Sequence, residues 1–364
     1  MGKKGSRLRD VAAMAGVSIA TVSRLLNNRK LLVPVSDETR RRVLEAARAL
    51  DYKPNRLARG LVTDKTNIIG VSLAVFIPPD RPLPKAHAVH SAALAAFLDG
   101  IRSITLPAGF DILLLHRREY GKSDVHPRMD LGLDFIDGLL YDAPDPRYDH
   151  YSVALESEVP IVMVGFDPTD GKVSSVDVDN VAEVFRITRT LLKNGHKRVA
   201  LVLPMELEVP LSRERFQGYR QALDDAGIPF EQDLVMVADF EDDAGQRIAA
   251  QLLAIRPEPT AVFVARNDLA VDILYELKQA GRKCPDDVEI VVFGDSHAFE
   301  STNPQLTALD DVFFDLGVQG ARLLFEVMGG GALPKRLRVP CRLMQRESCR
   351  LNGVSSTLSH GKEG

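Results

Sequence analysis

The sequence predicts an all-α helix-turn-helix headpiece followed by an α/β core of two doubly wound parallel-sheet lobes. Three observations carry this expectation. The chain has 364 residues, too many for one hydrophobic core and enough for two or three domains. Residues 1–62 hold 14 Lys and Arg against 5 Asp and Glu, while the remainder holds 32 against 45. A small basic head therefore precedes an acidic body. From Ile68 onward, short apolar runs alternate with amphipathic stretches, the pattern of parallel sheets covered by helices on both faces.

In the head, Leu8, Val11, Ala12 and Ala15 share one helical face, and Gly16 stops that helix. Ser18 is a suitable N-cap for a second helix, Ile19 to Leu26. Residues 27–35 read as a loop. Ser36 caps a third helix, with Asp37 and Glu38 in its first turn and Val43, Ala46, Ala47 and Leu50 facing inward. Two helices crossing around a tight turn need a small residue, a residue tolerant of positive φ and an apolar residue. Ala12, Gly16 and Val22 supply them. With the basic charge, that pattern points to DNA rather than to a structural bundle. Charge alone would fit a solvated face equally well.

In the body, the apolar runs are Ile68–Val75, Ile112–Leu115, Gly138–Tyr141 and Ile161–Val164. A second series follows at Val199–Leu203, Leu234–Val237, Ala261–Val264 and Ile290–Phe293. Helical stretches lie at Ala92–Leu106, Val181–Lys193, Arg215–Ala226, Ala244–Ile255 and Leu269–Ala280. Two series of four strands imply two lobes. Ligands in such sheets bind beyond the carboxyl ends of the strands. The chain is expected to cross between lobes near Asp167–Val178 and after Asp295.

Composition excludes several classes. No apolar run reaches the roughly eighteen residues of a membrane span. Met1 to Arg9 is basic and lacks the apolar core of an export signal, so a cytoplasmic location is expected. Cys284, Cys341 and Cys349 are too few for a disulfide framework and read as structural thiols. His87 and His90 have no partner cluster for a metal. Gly329–Gly331 with Lys335 lacks phosphate-loop spacing, and no GxGxxG, HExxH or GxSxG motif occurs. Neither enzymatic activity nor a cofactor is expected.

The stretch "RDVAAMAGVSIATVSRLL", with "SDETRRRVLEAARALDYKPNRLARGL" after it, resembles the headpiece of the LacI/GalR family of bacterial transcription regulators. Further on, "GHKRVALV", "SRERFQGYRQAL", "AVFVARNDLAVDIL" and "LMQRES" resemble the effector domain of that family in the expected order. The resemblance implies a regulator, most often a repressor, that binds palindromic operator DNA as a homodimer. Its core would be periplasmic-binding-protein-like and would hold a small-molecule effector, a sugar in the first instance and a nucleoside or other metabolite as the alternative; an activator is another variant, and a sugar-binding or sugar-modifying protein the remaining alternative. The implied divisions are a headpiece at 1–53, a hinge helix and linker at 54–65, a core at 66–350 and a polar tail at 351–364. Within the core, an N-lobe spans about 66–166 plus 298–325, and a C-lobe about 178–295 plus 330–350. The tail has no heptad stripe, so no C-terminal coiled coil is expected.

By the family pattern, Ile19 and Ala20 take the two main base-reading positions of the second helix. Both are apolar and suit thymine methyls rather than bidentate contacts. Arg24 is then the candidate for reading a guanine. Ile19 could instead pack inside the headpiece. Ser18, Thr21, Ser23 and Asn27 are assigned to phosphates. Leu8, Ser36, Thr39 and Tyr52 match positions near the sugar-phosphate backbone, although Leu8 would serve equally as core. Asn55 to Leu61 resemble the hinge helix, with Asn55 and Arg56 at its start and Leu61 as the wedge between base pairs. Gly60 departs from a good helix former.

For the effector, the resemblance implies Phe76, Asp142, Arg215, Phe240, Asn267 and Asp295. Planar hydrogen-bonding groups and aromatic faces suit a sugar. Phe76 and Phe240 could instead be core. Asp268, beside Asn267, is either a ligand contact or a helix cap. The order "VVFGDS" inverts the usual Gly-aromatic order of the family, which bears on the side chain at that edge.

Overall fold

The computed structural model describes residues 7–26, 35–52, 65–73, 87–116, 133–142, 149–168, 171–239, 241–310, 312–331 and 334–351. The chain divides into two compact units, Met1–Asn67 and Ile68–Gly364.

The first unit contains α1 (Leu8–Ala15), α2 (Ile19–Leu26) and α3 (Asp37–Ala49). Its core is Val11, Ala12, Ala15, Val22, Val43, Ala46 and Ala47, with Leu50 and Tyr52 packed against it. Every core side chain is alanine or valine, so the helices approach closely. The predicted helix limits agree with these. The loop at 27–34 and the predicted hinge, with Asn55, Arg56, Gly60 and Leu61, lie outside the described residues.

The second unit runs β1 (Ile68–Leu73), α4 (His87–Thr105), β2 (Asp111–His116), β3 (Gly138–Asp142), α5 (Asp149–Leu155), β4 (Ile161–Val164) and β5 (Ser174–Asp177). Then come α6 (Asn180–Lys193), β6 (Val199–Leu203), α7 (Pro210–Asp225), β7 (Val235–Val237), α8 (Ala244–Ala254), β8 (Ala261–Val264) and α9 (Ala270–Gln279). It closes with β9 (Glu289–Phe293), β10 (Thr307–Asp310), α10 (Phe313–Met328), β11 (Arg336–Arg338) and β12 (Arg342–Met344).

These strands form two six-stranded sheets, ordered β11-β5-β4-β3-β1-β2 and β12-β10-β9-β8-β6-β7. The two orders are the same permutation, so each lobe is doubly wound with its own switch point. All pairs are parallel except β10 with β12.

Six strands replace the predicted four in each lobe, and three boundaries move. Ser174–Asp177, expected in the crossing, is instead β5 and pairs with β4. Thr307–Asp310 was assigned to the N-lobe but pairs with β9 in the second sheet. Arg336–Arg338 was assigned to the C-lobe but pairs with β5 in the first. These strands read SSVD, TALD and RLR, so no apolar run marks them, unlike the equally short IVMV of β4 and AVFV of β8. Their sheet is decided by which unpaired edge the chain meets. The helix expected from Ala92 begins earlier, at His87, and residues 74–86 lie outside the described residues.

One glycine governs packing near the functional edge. A Cβ on Gly218 of α7 would come within 2.3 Å of the Val181 carbonyl oxygen, so only glycine allows α6 and α7 to lie this close. Among the described residues no helix is long and apolar enough to cross a membrane.

Candidate functional site

In the first unit, Gly16 adopts φ +62, and the Val17 N–H donates back to the Ala12 carbonyl at 3.1 Å. This ends α1 and turns the chain into α2. Ser18 caps α2: its Oγ accepts from the Thr21 N–H at 3.1 Å and lies 2.9 Å from Thr21 Oγ1. Val22 faces the core. Ala20 and Arg24, on the side away from Val22, and Ile19, in the first turn, are exposed to solvent, with Ile19 52% exposed. Packing within the headpiece therefore does not account for this isoleucine. Thr21 and Ser23 are half-buried beside them.

Ser36 caps α3 by accepting from the Thr39 N–H at 3.3 Å. Leu8 and Tyr52 are partly buried and pack against the headpiece core. Burial raises the Tyr52 phenol above its ordinary pKa. Asn27, Asn55, Arg56 and Leu61 fall outside the described residues.

In the second unit, a polar cluster forms at the carboxyl ends of β8 and β9. Arg215 projects from α7 and is buried. Its Nε donates to Asn180 Oδ1 at 3.1 Å and its Nη1 to the carbonyl of Ala265, which follows β8. Its guanidinium lies over the Phe293 ring, 3.8 Å from the centroid. The inverted order in "VVFGDS" thus has a structural result. The aromatic becomes the last residue of β9, turns inward and stacks on Phe263. Gly294 takes φ +93 after it. Asn180 also donates from Nδ2 to Glu214 Oε2 at 3.2 Å.

Asp295 is held by Arg346, whose Nη1 and Nη2 donate to its two carboxylate oxygens at 2.8 and 2.9 Å. Asn267 and Asp268 lie in a 3-10 turn, Asn267–Leu269. Asp268 caps no helix there: it forms a fork-on-fork pair with Arg266 at 2.7 and 2.9 Å. Asp142 ends β3 of the first sheet, half-buried. Phe76 and Phe240 fall outside the described residues. The structure thus brings Arg215 and Phe293 together at one strand edge, with Asp295 immediately after that edge.

Sequence reasoning missed Asn180, Glu214 and Arg346. It also missed Asp177, which ends β5 just before the chain crosses to α6. Burial, and secondarily the charge of Glu214, push the Asp177 carboxyl up to about 7, against the opposing pull of Arg338. Its Oδ1 accepts from the Val178 N–H at 2.7 Å. Arg338 Nη1 lies 3.6 Å from its other oxygen and also donates to the Val178 carbonyl at 3.3 Å. The Val339 N–H donates to the Asp177 carbonyl at 2.9 Å. Two passages between the sheets are therefore joined at this carboxylate. Among the described residues no His, Cys, Asp and Glu group is arranged to hold a metal ion.

Comparison with known proteins gives matches to both units. A model of bacterial regulatory proteins of the lacI family matches residues 7–55, and one of the periplasmic binding protein-like domain matches residues 188–349. The HTH-type transcriptional regulator CelR of Thermobifida fusca is 33% identical over 353 residues, 94% of this chain and 97% of the relative. A solved structure of the transcriptional regulator CelR–cellobiose complex is 29% identical, with a TM-score of 0.67 over 94% of this chain and 100% of that one. The Lac repressor dimer bound to operator and the anti-inducer ONPF is 24% identical with a TM-score of 0.78, covering 95% of this chain and 99% of that one. At that identity the likeness concerns the fold alone.

Proposed function

The chain belongs to the lacI family of bacterial regulatory proteins, and we propose that it represses transcription as a homodimer on a palindromic operator, under the control of a sugar. It is a DNA-binding regulator whose core answers to a small-molecule effector. The observation that carries the reading is the outward face of α2. Ile19, Ala20 and Arg24 stand exposed together on the second helix of a basic three-helix unit, at the turn that Gly16 and Ser18 build. Such a face suits the major groove, with Ile19 and Ala20 on thymine methyls and Arg24 on a guanine. Ser18, Thr21, Ser23, Ser36 and Thr39 would serve phosphates and register.

The effector would lie at the carboxyl ends of the sheets, against Arg215, Asn267, Asp295 and Asp142. The cellobiose held by the solved relative supports a sugar over a nucleoside. To control transcription, the sugar must favour one DNA-binding state over the other, since equal affinity shifts nothing.

The test is a thermal-shift screen of neutral sugars, cellobiose first, against the full chain. A ligand at about 100 times its Kd raises stability by about 2.7 kcal/mol, several degrees in melting temperature. The shift is expected to vanish in Arg215→Ala. A shift retained in that variant removes Arg215 from the site, and a response to nucleosides alone replaces the sugar reading.

A further inference from the structure

We infer that Arg42 is a positioning residue for DNA recognition, a clamp reaching from α3 onto the turn that aims α2. Its Nη2 donates to the Ala15 carbonyl at 2.8 Å and lies 3.5 Å from the Gly16 carbonyl. These residues are 26 and 27 positions away in sequence, so the contact joins the third helix to the turn between the first two.

Physical chemistry explains why the turn needs such a partner. The last four carbonyls of a helix have no intrahelical donor. Here the N–H groups of Gly16 and Val17 return to Ala12 and Ala13, which leaves the carbonyl of Ala15, one residue further on, to Arg42. That carbonyl belongs to the negative end of the α1 dipole, and a guanidinium gives it a charge-assisted bond. Ser18, the N-cap of α2, follows Gly16 by two residues. Fixing the Ala15–Gly16 peptides therefore fixes where α2 starts and how Ile19, Ala20 and Arg24 meet base edges. Arg42 also removes partial negative charge from the root of a helix meant to approach phosphates.

This inference rests on the headpiece reading DNA, and it competes with two simpler roles. Arg42 is exposed, so it could be a phosphate ligand, or it could only hold the headpiece together. The three make different predictions for the full-length chain. The probe is the duplex that the wild type enriches from a random oligonucleotide pool, with an unrelated duplex of equal length as the non-specific reference. Both are measured across a salt series at a temperature where circular dichroism shows every variant folded.

For a clamp, Arg42→Ala weakens the enriched duplex about tenfold, the worth of one charge-assisted hydrogen bond. Binding to the unrelated duplex changes by about twofold or less, and the slope of log K against log salt is unchanged. Arg42→Lys, which keeps a charged donor, recovers most of the loss, and Arg42→Gln recovers part. A slope reduced by about 0.9 would identify a phosphate ligand and overturn the inference. So would equal losses on both duplexes, the mark of a purely structural role, or no loss at all. If the wild type enriched no duplex, the regulator reading would fall and this inference with it. A wild type that binds beside an unaffected Arg42→Ala overturns the inference alone.

Discussion

The arginines of the two units live under opposite physics. In the first unit, Arg24, Arg40, Arg41 and Arg48 stand in solvent on α2 and α3. In the second, Arg215, Arg266 and Arg346 sit largely out of water, each aimed by named partners. Exposed cations contribute little to folding and remain available to a polyanion, at the cost of sensitivity to salt. Enclosed cations hold acceptors and carboxylates in fixed poses and respond weakly to salt. The contrast teaches that the same residue type stays available to solvent in one place and is fixed as an internal strut in the other.

The largest expected effect tests the enclosed side. The folded chain holds a proton on Asp177 up to about pH 7, whereas the unfolded chain releases it in the ordinary carboxylate range. The native state therefore binds more protons between about pH 4 and 7, and stability falls as pH rises through that window, with the full penalty above it. Asp177→Asn should flatten the decline and gain a few kcal/mol over the wild type at pH 7.5 but almost nothing at pH 4, read from urea midpoints. Parallel pH profiles for the two proteins would show that Asp177 titrates as if in water.

Next, Arg346→Met leaves Asp295 without its fork in a mostly enclosed site. The loss should be about 2 kcal/mol, since removing one partner strands the other charge. Equilibrium unfolding measures it, and a neutral result would move this pair to the exposed class. Arg24→Ala is the mirror test. Stability should change by about 0.5 kcal/mol or less, while operator affinity falls by about 1–3 kcal/mol if Arg24 reads a guanine. Competition binding with single-base variants of the enriched duplex checks it. The smallest effect belongs to Ser18→Ala, which removes the α2 cap at about 1 kcal/mol. Thermal melts of the full chain would show it in the headpiece transition, and an unshifted transition would mean that α2 is held by tertiary packing alone.

Legibility in the sequence followed distance along the chain. Gly16, Ser18 and Ser36 were readable because a cap acts within three or four residues of itself, and the structure shows each at its turn. The second unit was readable wherever a strand was apolar throughout, even at three or four residues, as in β4, β7 and β8. It failed at β5, β10 and β11, which are short and in part polar. Arg215 was found through resemblance, but its holder Asn180 lies 35 residues away. Arg346 lies 51 residues from Asp295, and no local pattern couples such pairs.

By itself, then, the sequence determined the two-part organisation, the helix limits of the headpiece and the alternation that builds two wound sheets, because charge content, capping and hydrophobic period act over a few residues. Only the tertiary structure decided which sheet received each short strand, which guanidinium faced which carboxylate, and that Arg42 would hold the turn beneath α2. Those outcomes depend on surfaces meeting after distant segments fold, where burial makes an unpaired charge costly and leaves few arrangements that satisfy it.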